Sequence, residues 1–378
     1  MKKILFIILL AAPAFLMAQT QPGKVYNLLV GTYTTGKSQG IYVYHFDAVT
    51  GKISYQDKVT GVNNPSYLAI SNNRKFVYSV NEVGSDRAGS ISAFSFDAKS
   101  GKLTLINKQP SNGAGPCYIS IDKAAKNVFV ANYAGGSLSV LPVKADGSLA
   151  EPSQTIQDEG TGPDKARQEK PHVHTAVLSP DEKYVLYTDL GTDKVNIMHY
   201  NPSVTKPLTP ADPAFEMVNG GYGPRHIAFN PKGTLMYLIQ EMGGAINVYN
   251  YKQGTLKQIQ SQTIVPDGFN GQIGAADIHI SPDGKYLYST NRGSANEIEV
   301  FAINRDSGKL NFVERTSSLG KTPRNFVIDP SGNFLLVANQ NSDDVYVFKI
   351  NKNTGKLTYT GNKLEVGNPS CLKFADMN

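Results

Sequence analysis

Asn64-Pro65-Ser66-Tyr67-Leu68 returns near the far end of the chain as Asn368-Pro369-Ser370-Cys371-Leu372, and related starts occur at Pro116-Cys117, Pro224-Arg225 and Pro323-Arg324. Each start opens a short alternating apolar strand that runs into a tight turn. The clearest turns are Ser179-Pro180-Asp181-Glu182-Lys183, Asn230-Pro231-Lys232-Gly233, Ser281-Pro282-Asp283-Gly284-Lys285 and Asp329-Pro330-Ser331-Gly332. There Pro and Gly supply the backbone angles of a reversal. A second apolar strand follows and usually ends in Asn. A third alternates, as in Asp344-Val345-Tyr346-Val347-Phe348, and a Gly turn then leads to a fourth. Thr50-Gly51-Lys52-Ile53, Ser100-Gly101-Lys102-Leu103, Ser307-Gly308-Lys309-Leu310 and Thr354-Gly355-Lys356-Leu357 are nearly one tetrapeptide. Four antiparallel strands per repeated unit make a propeller blade.

Aligning the first strands by the apolar residues behind them gives one column: Ser66, Cys117, His174, Arg225, Ala276, Arg324 and Ser370. The spacings are 51, 57, 51, 51, 48 and 46, so the excess falls in one place, before His174. The seventh member has no strands after it. At the other end of the chain, residues 26–30, 41–46 and 53–55 read as strands two, three and four of a blade lacking its first. Residues 369–374 complete that blade. The fold class is therefore all-β, a seven-bladed β-propeller whose ring is closed by the C-terminal strand, leaving no exposed edge between the termini. A pair of all-β sandwiches would not explain why the first unit lacks a strand that the last has spare.

The length of 378 residues would by itself allow two or three domains, but seven such units consume nearly all of it. The absence of Trp argues against a WD-type array. Residues 1–18 are set apart: Lys2 and Lys3 precede an apolar run over 4–16, and Met17-Ala18-Gln19 offers a small residue for cleavage. This reads as a secretory signal peptide, with residues 19–378 as one propeller domain and an exported, periplasmic or extracellular destination. The run is shorter than the ~20 residues that span a bilayer, so no stable membrane insertion is expected after cleavage. Without the leader the formal charge falls from +6 to +4 and is dispersed, which does not suggest nucleic acid. Cys117 and Cys371 are the only cysteines, and the repeat places them on blades that are not neighbours, so no disulfide between them is expected.

First strands start, and second strands end, at the same face, so both sets of residues ring one mouth of the central channel. The column contributes His174, Arg225 and Arg324. The second-strand ends contribute Asn81-Glu82, Asn132-Tyr133, Asp189, Gln240-Glu241, Asn291-Arg292 and Asn339-Gln340. A repeated Asn after a strand is more often a turn former than a ligand contact. By contrast His174, Arg225, Glu241, Arg292 and Arg324 put different polar residues at equivalent positions, as a site grafted on a symmetric frame would. The extra residues, Gly162-Pro163-Asp164-Lys165-Ala166-Arg167-Gln168-Glu169-Lys170-Pro171-His172-Val173-His174, form a charged loop at that mouth.

The Arg-Gln-Glu-x-Pro-His-x-His run, with Gly223-Pro224-Arg225-His226, Tyr237-Leu238-Ile239-Gln240-Glu241 and Thr322-Pro323-Arg324-Asn325, resembles the seven-bladed lactonase family typified by propeller-type 6-phosphogluconolactonases. The resemblance covers essentially all of the mature chain. It implies hydrolysis of 6-phosphoglucono-1,5-lactone, or of a related sugar-acid lactone, without a metal or other cofactor. Relatives of the same fold cyclise muconates, with a His, two Arg and a Glu as the proposed working set. The matching catalytic candidates are His172 or His174, Arg225, Glu241 and Arg324, of which the column puts His174 level with the arginines. Arg167, Gln168, Asn132, Tyr133, Asn291 and Arg292 are the substrate-binding candidates, and Arg292 or Arg167 the cation for a phosphoryl or carboxylate group.

These residue types suit lactone opening: His or Glu241 as base for water, and Arg225 or Arg324 against the negative oxygen of the tetrahedral intermediate. Neither a Gly-x-Ser-x-Gly elbow nor zinc-like His and Cys spacing is present. The expected partner is a small sugar lactone; the oligomeric state is open. Alternatives are a muconate-type cycloisomerase or a non-catalytic exported propeller binding a carbohydrate-type ligand or a protein, for which exposed aromatics at the mouth would be the sign.

Overall fold

The computed structural model describes residues 24–83 and 88–377; the expected leader lies outside them. Seven four-stranded antiparallel sheets follow one another around a ring. Blade one joins β1 (Val25–Thr32), β2 (Gly40–Asp47) and β3 (Ile53–Thr60) to the last strand, β28 (Pro369–Asp376). The other six are sequential, from β4 (Leu68–Ile70) through β7 (Lys102–Ala114) in blade two to β24 (Pro323–Ile328) through β27 (Leu357–Glu365) in blade seven. The first strand of every blade contacts that of the next, and β28 contacts both β24 and β4, so the inner ring is closed.

The local turn chemistry explains the hairpins. Ser281 Oγ donates to Asp283 at 2.6 Å, the Lys285 N–H donates to the same carboxylate at 3.1 Å, and Gly284 takes φ +72°. The Gly turn before the fourth strand works through an Asx cap: Asp47 accepts from Val49 N–H and Thr50 N–H at 2.8 and 3.0 Å. Asn304 plays the same part before Gly308. Tyrosines on second strands tie these turns to the neighbouring blade. Tyr237 Oη donates to the Gly308 carbonyl at 2.9 Å, and Tyr288 Oη to that of Gly355 at 2.9 Å.

The core lies between blades rather than at one centre. At the closing seam Leu28, Val30, Phe46 and Leu372 of blade one pack against Phe334, Leu336 and Val345 of blade seven. The β1 and β28 strands pair antiparallel from Tyr26 opposite Asp376 to Thr32 opposite Pro369. Both cysteines are buried and free, Cys117 in blade three and Cys371 in blade one, with blade two between them.

Because β28 supplies the inner strand of blade one, ending the chain at Val366 is expected to abolish cooperative folding and give aggregated material on size exclusion. The milder Leu372→Ala is expected to lower stability by about 2–5 kcal/mol, as for other fully buried Leu truncations. An unchanged urea midpoint would show that the seam contributes nothing to the ring.

Candidate active site

The column read from the sequence coincides with a structural irregularity. In blades one and three to seven the pairing of strands one and two shifts register across Ser370, Cys117, His174, Arg225, Ala276 and Arg324 respectively. A bulge re-aims a side chain and bends its strand, which accounts for polar groups at the start of strands that are otherwise apolar. A second column follows the last paired residue of strand two: Tyr33, Glu82, Tyr133, Leu190, Glu241, Arg292 and Gln340. In all seven blades the N–H of that residue donates, at 2.7 to 3.1 Å, to the carbonyl two positions before the first-column residue. Each blade thus presents two side chains at fixed places on one rim.

Eight of these residues, with Arg167 from the loop before His174, line a cavity of about 270 Å³: Tyr33, Glu82, Cys117, Tyr133, His174, Glu241, Arg292 and Arg324. Its back wall is an ion cluster around Glu241. Arg167 Nη2 reaches Oε1 at 2.7 Å, while Arg225 Nε and Arg292 Nη2 reach Oε2 at 3.0 and 2.9 Å. Burial would raise this carboxyl, but Arg292, Arg225 and Arg167 outweigh it and hold Glu241 far below the usual carboxylate range. Arg225 is itself 1% exposed; burial and the neighbouring Arg292 bring its guanidinium down to about 10.

Arg324 is arranged differently. It forms no ion pair or hydrogen bond among the described residues, and its guanidinium lies 5.5 Å from the centre of the Tyr33 ring. Four guanidiniums (Arg167, Arg225, Arg292 and Arg324) stand against two carboxylates (Glu82 and Glu241), so the site has a surplus of two positive charges. His174 stays neutral, because burial and then Arg225, His226 and Arg324 push its pKa well below the ordinary value. Its Nδ1 is buried without a partner. Burial raises the Cys117 thiol, which therefore stays protonated and is no nucleophile.

Behind Arg225 the channel continues as a buried polar chain. Arg225 Nη1 donates to His226 Nε2 at 3.2 Å, and His226 Nδ1 in turn donates to Asp277 Oδ1 at 2.7 Å. Asp277 also accepts from His279 Nε2 at 3.0 Å. A cavity of about 310 Å³ opens at this opposite end, beside Tyr67, Tyr118 and Lys373. It is the larger of the two, but it has one Lys against Asp277 and no guanidinium surplus, so the chemistry points to the other rim. Among the described residues no group of three or more His, Cys, Asp or Glu is arranged to hold a metal ion.

Residues 27–374 match the model of the family described as lactonase, 7-bladed beta-propeller. The chain belongs to this family. Membership makes it a lactone hydrolase, acting on a small-molecule lactone. It is 37% identical to the 6-phosphogluconolactonase of Bacillus subtilis, over 91% of this chain and 97% of that protein. It is also 36% identical to that of Formosa agariphila, over 84% and 90%. Among solved structures, the periplasmic gluconolactonase of Pseudomonas aeruginosa superposes with a TM-score of 0.89 at 40% identity, covering 94% of this chain and all of that one.

This lactonase-family site gathers His174, Glu241, Arg324, Arg167, Tyr133 and Arg292 around the cavity, with Arg225 directly behind Glu241. Four expected residues stand elsewhere. His172 stacks on Tyr133 with ring centres 4.6 Å apart and has Nδ1 at the Tyr133 carbonyl and Nε2 near Glu169. It therefore buttresses Tyr133 rather than facing the cavity. Gln168 is fully buried and staples its loop, accepting from Asp164 N–H and donating to the Leu190 carbonyl. Asn132 donates to Ser137 and Ser139, and Asn291 accepts from Gly274 N–H; both side chains are buried inside their blades, with Asn132 Oδ1 and Asn291 Nδ2 unpartnered among the described residues. Arg167 and Arg292, expected to hold a substrate anion, are committed to Glu241. Glu82 and Cys117 were expected on the rim but not among the site candidates, and Tyr33 was not expected there. Their signal was positional, since two of them immediately follow the end of strand two.

His226 sits at the joint of the polar chain, and burial followed by Arg225 lowers its pKa from 6.5 to about 4. A depressed pKa means stability that is full above 6.5 and is lost as pH falls toward 4, because the unfolded chain takes up the proton first. Asp158 and Glu299 act in the opposite sense: burial raises the first to about 7 and the second well above 4.5. Their stabilisation is present at low pH and lost as pH rises. The readout is therefore a difference between proteins. The stability gap between wild type and His226→Gln, measured in urea, is expected to shrink by on the order of 2–3 kcal/mol between pH 7 and 4. A gap independent of pH would show that His226 is not held neutral.

Proposed function

We propose that this protein opens a six-membered sugar-acid lactone of the gluconolactone type, by attack of water and without a metal ion. One observation carries this reading: among the described residues Arg324 is a guanidinium without a carboxylate partner, on the wall of a cavity whose other cations are already committed. A planar, permanently charged donor in a partly dry site suits the oxygen that becomes negative as water adds to a lactone carbonyl. The charge surplus then favours the carboxylate product as well as the intermediate. Metal independence is supported by the donor set, since Glu241 is saturated by guanidiniums and His174 faces cations.

The same inventory favours an unphosphorylated lactone over its 6-phosphate. Once Arg324 attends the carbonyl, no second guanidinium free of a carboxylate faces the cavity among the described residues. The leader-like residues 1–18 agree with this, because they would export the chain to the periplasm or beyond, away from cytosolic sugar phosphates.

The direct test follows release of acid from glucono-1,5-lactone and from its 6-phosphate, with and without chelator. The expected result is faster opening of the unphosphorylated lactone, insensitive to chelator. Arg324→Ala is expected to lower kcat by ~10²–10³, the usual cost of removing one donor to an oxyanion. Catalysis no faster than spontaneous opening with both lactones would sink the substrate assignment, and an Arg324→Ala rate equal to wild type would sink the role of Arg324.

A further inference from the structure

Glu241 and Glu82 occupy the same position in the second column, on blades five and two. Their surroundings are opposite. Glu241 has both oxygens engaged by guanidiniums. Glu82 has no cation within ion-pairing distance among the described residues. Its Oε2 accepts from Tyr33 Oη at 2.8 Å and from Ser66 Oγ at 2.5 Å, and its Oε1 has no hydrogen-bond partner among them. The backbone beneath it is fixed: Glu82 N–H donates to the Asn64 carbonyl at 3.1 Å, and Asn64 Nδ2 donates to the Glu82 carbonyl at 2.8 Å. Asn64 is pinned in turn by Thr34, whose N–H and hydroxyl both reach Asn64 Oδ1. A carboxylate on the cavity wall, held by one oxygen on a fixed backbone and with the other unpartnered among the described residues, is placed to accept a proton there.

The remaining candidates for that task are weaker. His174 is kept neutral by burial and by surrounding guanidiniums, an environment that opposes its taking a proton. Glu241 would have to accept one against three cations. Cys117 remains a thiol, and burial raises the Tyr133 phenol.

We propose that Glu82 is the general base of this site, taking the proton from the water that attacks the lactone carbonyl. The inference rests on the lactonase reading above and adds a catalytic residue to it. As the water oxygen bonds to the carbonyl carbon, its proton passes to Glu82 Oε1 and the carbonyl electron pair moves onto the oxygen facing Arg324. Collapse of this intermediate breaks the bond between the carbonyl carbon and the ring oxygen. The proton on Glu82 passes to that oxygen, which leaves as a hydroxyl, and the new acid loses its own proton to solvent. Glu82 thereby returns to its starting state, with one water consumed. Tyr33 and Ser66 act as positioning residues through Oε2.

Glu82→Gln in the full chain is expected to lower kcat on glucono-1,5-lactone by ~10²–10⁴ with KM within about threefold of wild type, the range for loss of a general base. Glu82→Ala should regain at least about tenfold in activity on adding formate, a carboxylate small enough for the vacated space, a response that a purely structural role would not produce. Tyr33→Phe keeps the ring beneath Arg324 but removes one donor to Oε2, so a loss of about tenfold in kcat at unchanged KM is expected. That variant carries the test if circular dichroism shows the Glu82 variants misfolded. Wild-type kcat in Glu82→Gln, or in Tyr33→Phe should the Glu82 variants not fold, would overturn the assignment while leaving the lactonase reading intact. If wild type opens no sugar lactone, both fall together.

Discussion

The pairing of β28 with β1 is the constraint on which the architecture rests. A propeller blade buries its faces against the two adjacent blades, so each blade is stable only if the ring has no gap. Here the gap is filled by the two ends of the chain, with Leu372 packed beside Leu28 and Val30 and, across the seam, Phe334 and Leu336. The same strand places Ser370 in the bulge column and completes the ring of first strands around the channel. The geometry of the rim is therefore a consequence of closure. Each of the seven blades holds its two rim residues with one repeated backbone hydrogen bond, and that bond requires both strands of the inner hairpin to be present.

Given such a frame, function depends on what is placed at fourteen equivalent positions. Ser66, Ala276, Ser370, Leu190 and Gln340 add no charge. Polar and ionisable groups are concentrated at the others, and the loop before His174 adds Arg167. The result is asymmetric in a useful way. Glu241, on blade five, gathers Arg225 from its own blade, Arg292 from blade six and Arg167 from the loop. Arg324 on blade seven and Glu82 on blade two form no ion pair among the described residues, although Glu82 acts on Arg324 at longer range. A buried carboxylate saturated by its neighbouring cations keeps three guanidiniums in one arrangement, although such a cluster is not by itself a source of net stability.

Much of this was legible before any coordinates. The seven-member column of strand starts specified the number of blades, and the strand missing at one end and spare at the other specified how the ring closes, because turn chemistry and strand alternation are local and repeat faithfully. The bulge column was also visible as an alignment, though not as a bulge, since an irregular register leaves no composition of its own. Tyr33 was harder to see, and Glu82, though placed on the rim, was not singled out. Tyr33 belongs to the incomplete first blade, where no first strand precedes it to set the register. Glu82 differs from Glu241 only in its neighbours, and those come from other blades. For His172 and His174, two residues apart in one motif, the bulge at His174 places one ring on the cavity wall and leaves the other stacked on Tyr133.

The two glutamates show why residue type alone underdetermines a site. Placed at equivalent points of a near-symmetric frame, they share backbone geometry and hydrogen-bonding of the main chain, so any difference in chemistry must come from their surroundings. At Glu241 three guanidiniums make the charged form so favourable that proton uptake is suppressed, and the group serves as an electrostatic anchor. At Glu82 two hydroxyls fix one oxygen without supplying a countercharge, the other oxygen has no hydrogen-bond partner among the described residues, and the residue lines the cavity. Separating like groups by the charge of their neighbours is how a single fold gives them different tasks. In this propeller that separation is achieved by varying the side chains of neighbouring blades, while the scaffold beneath both carboxylates stays the same.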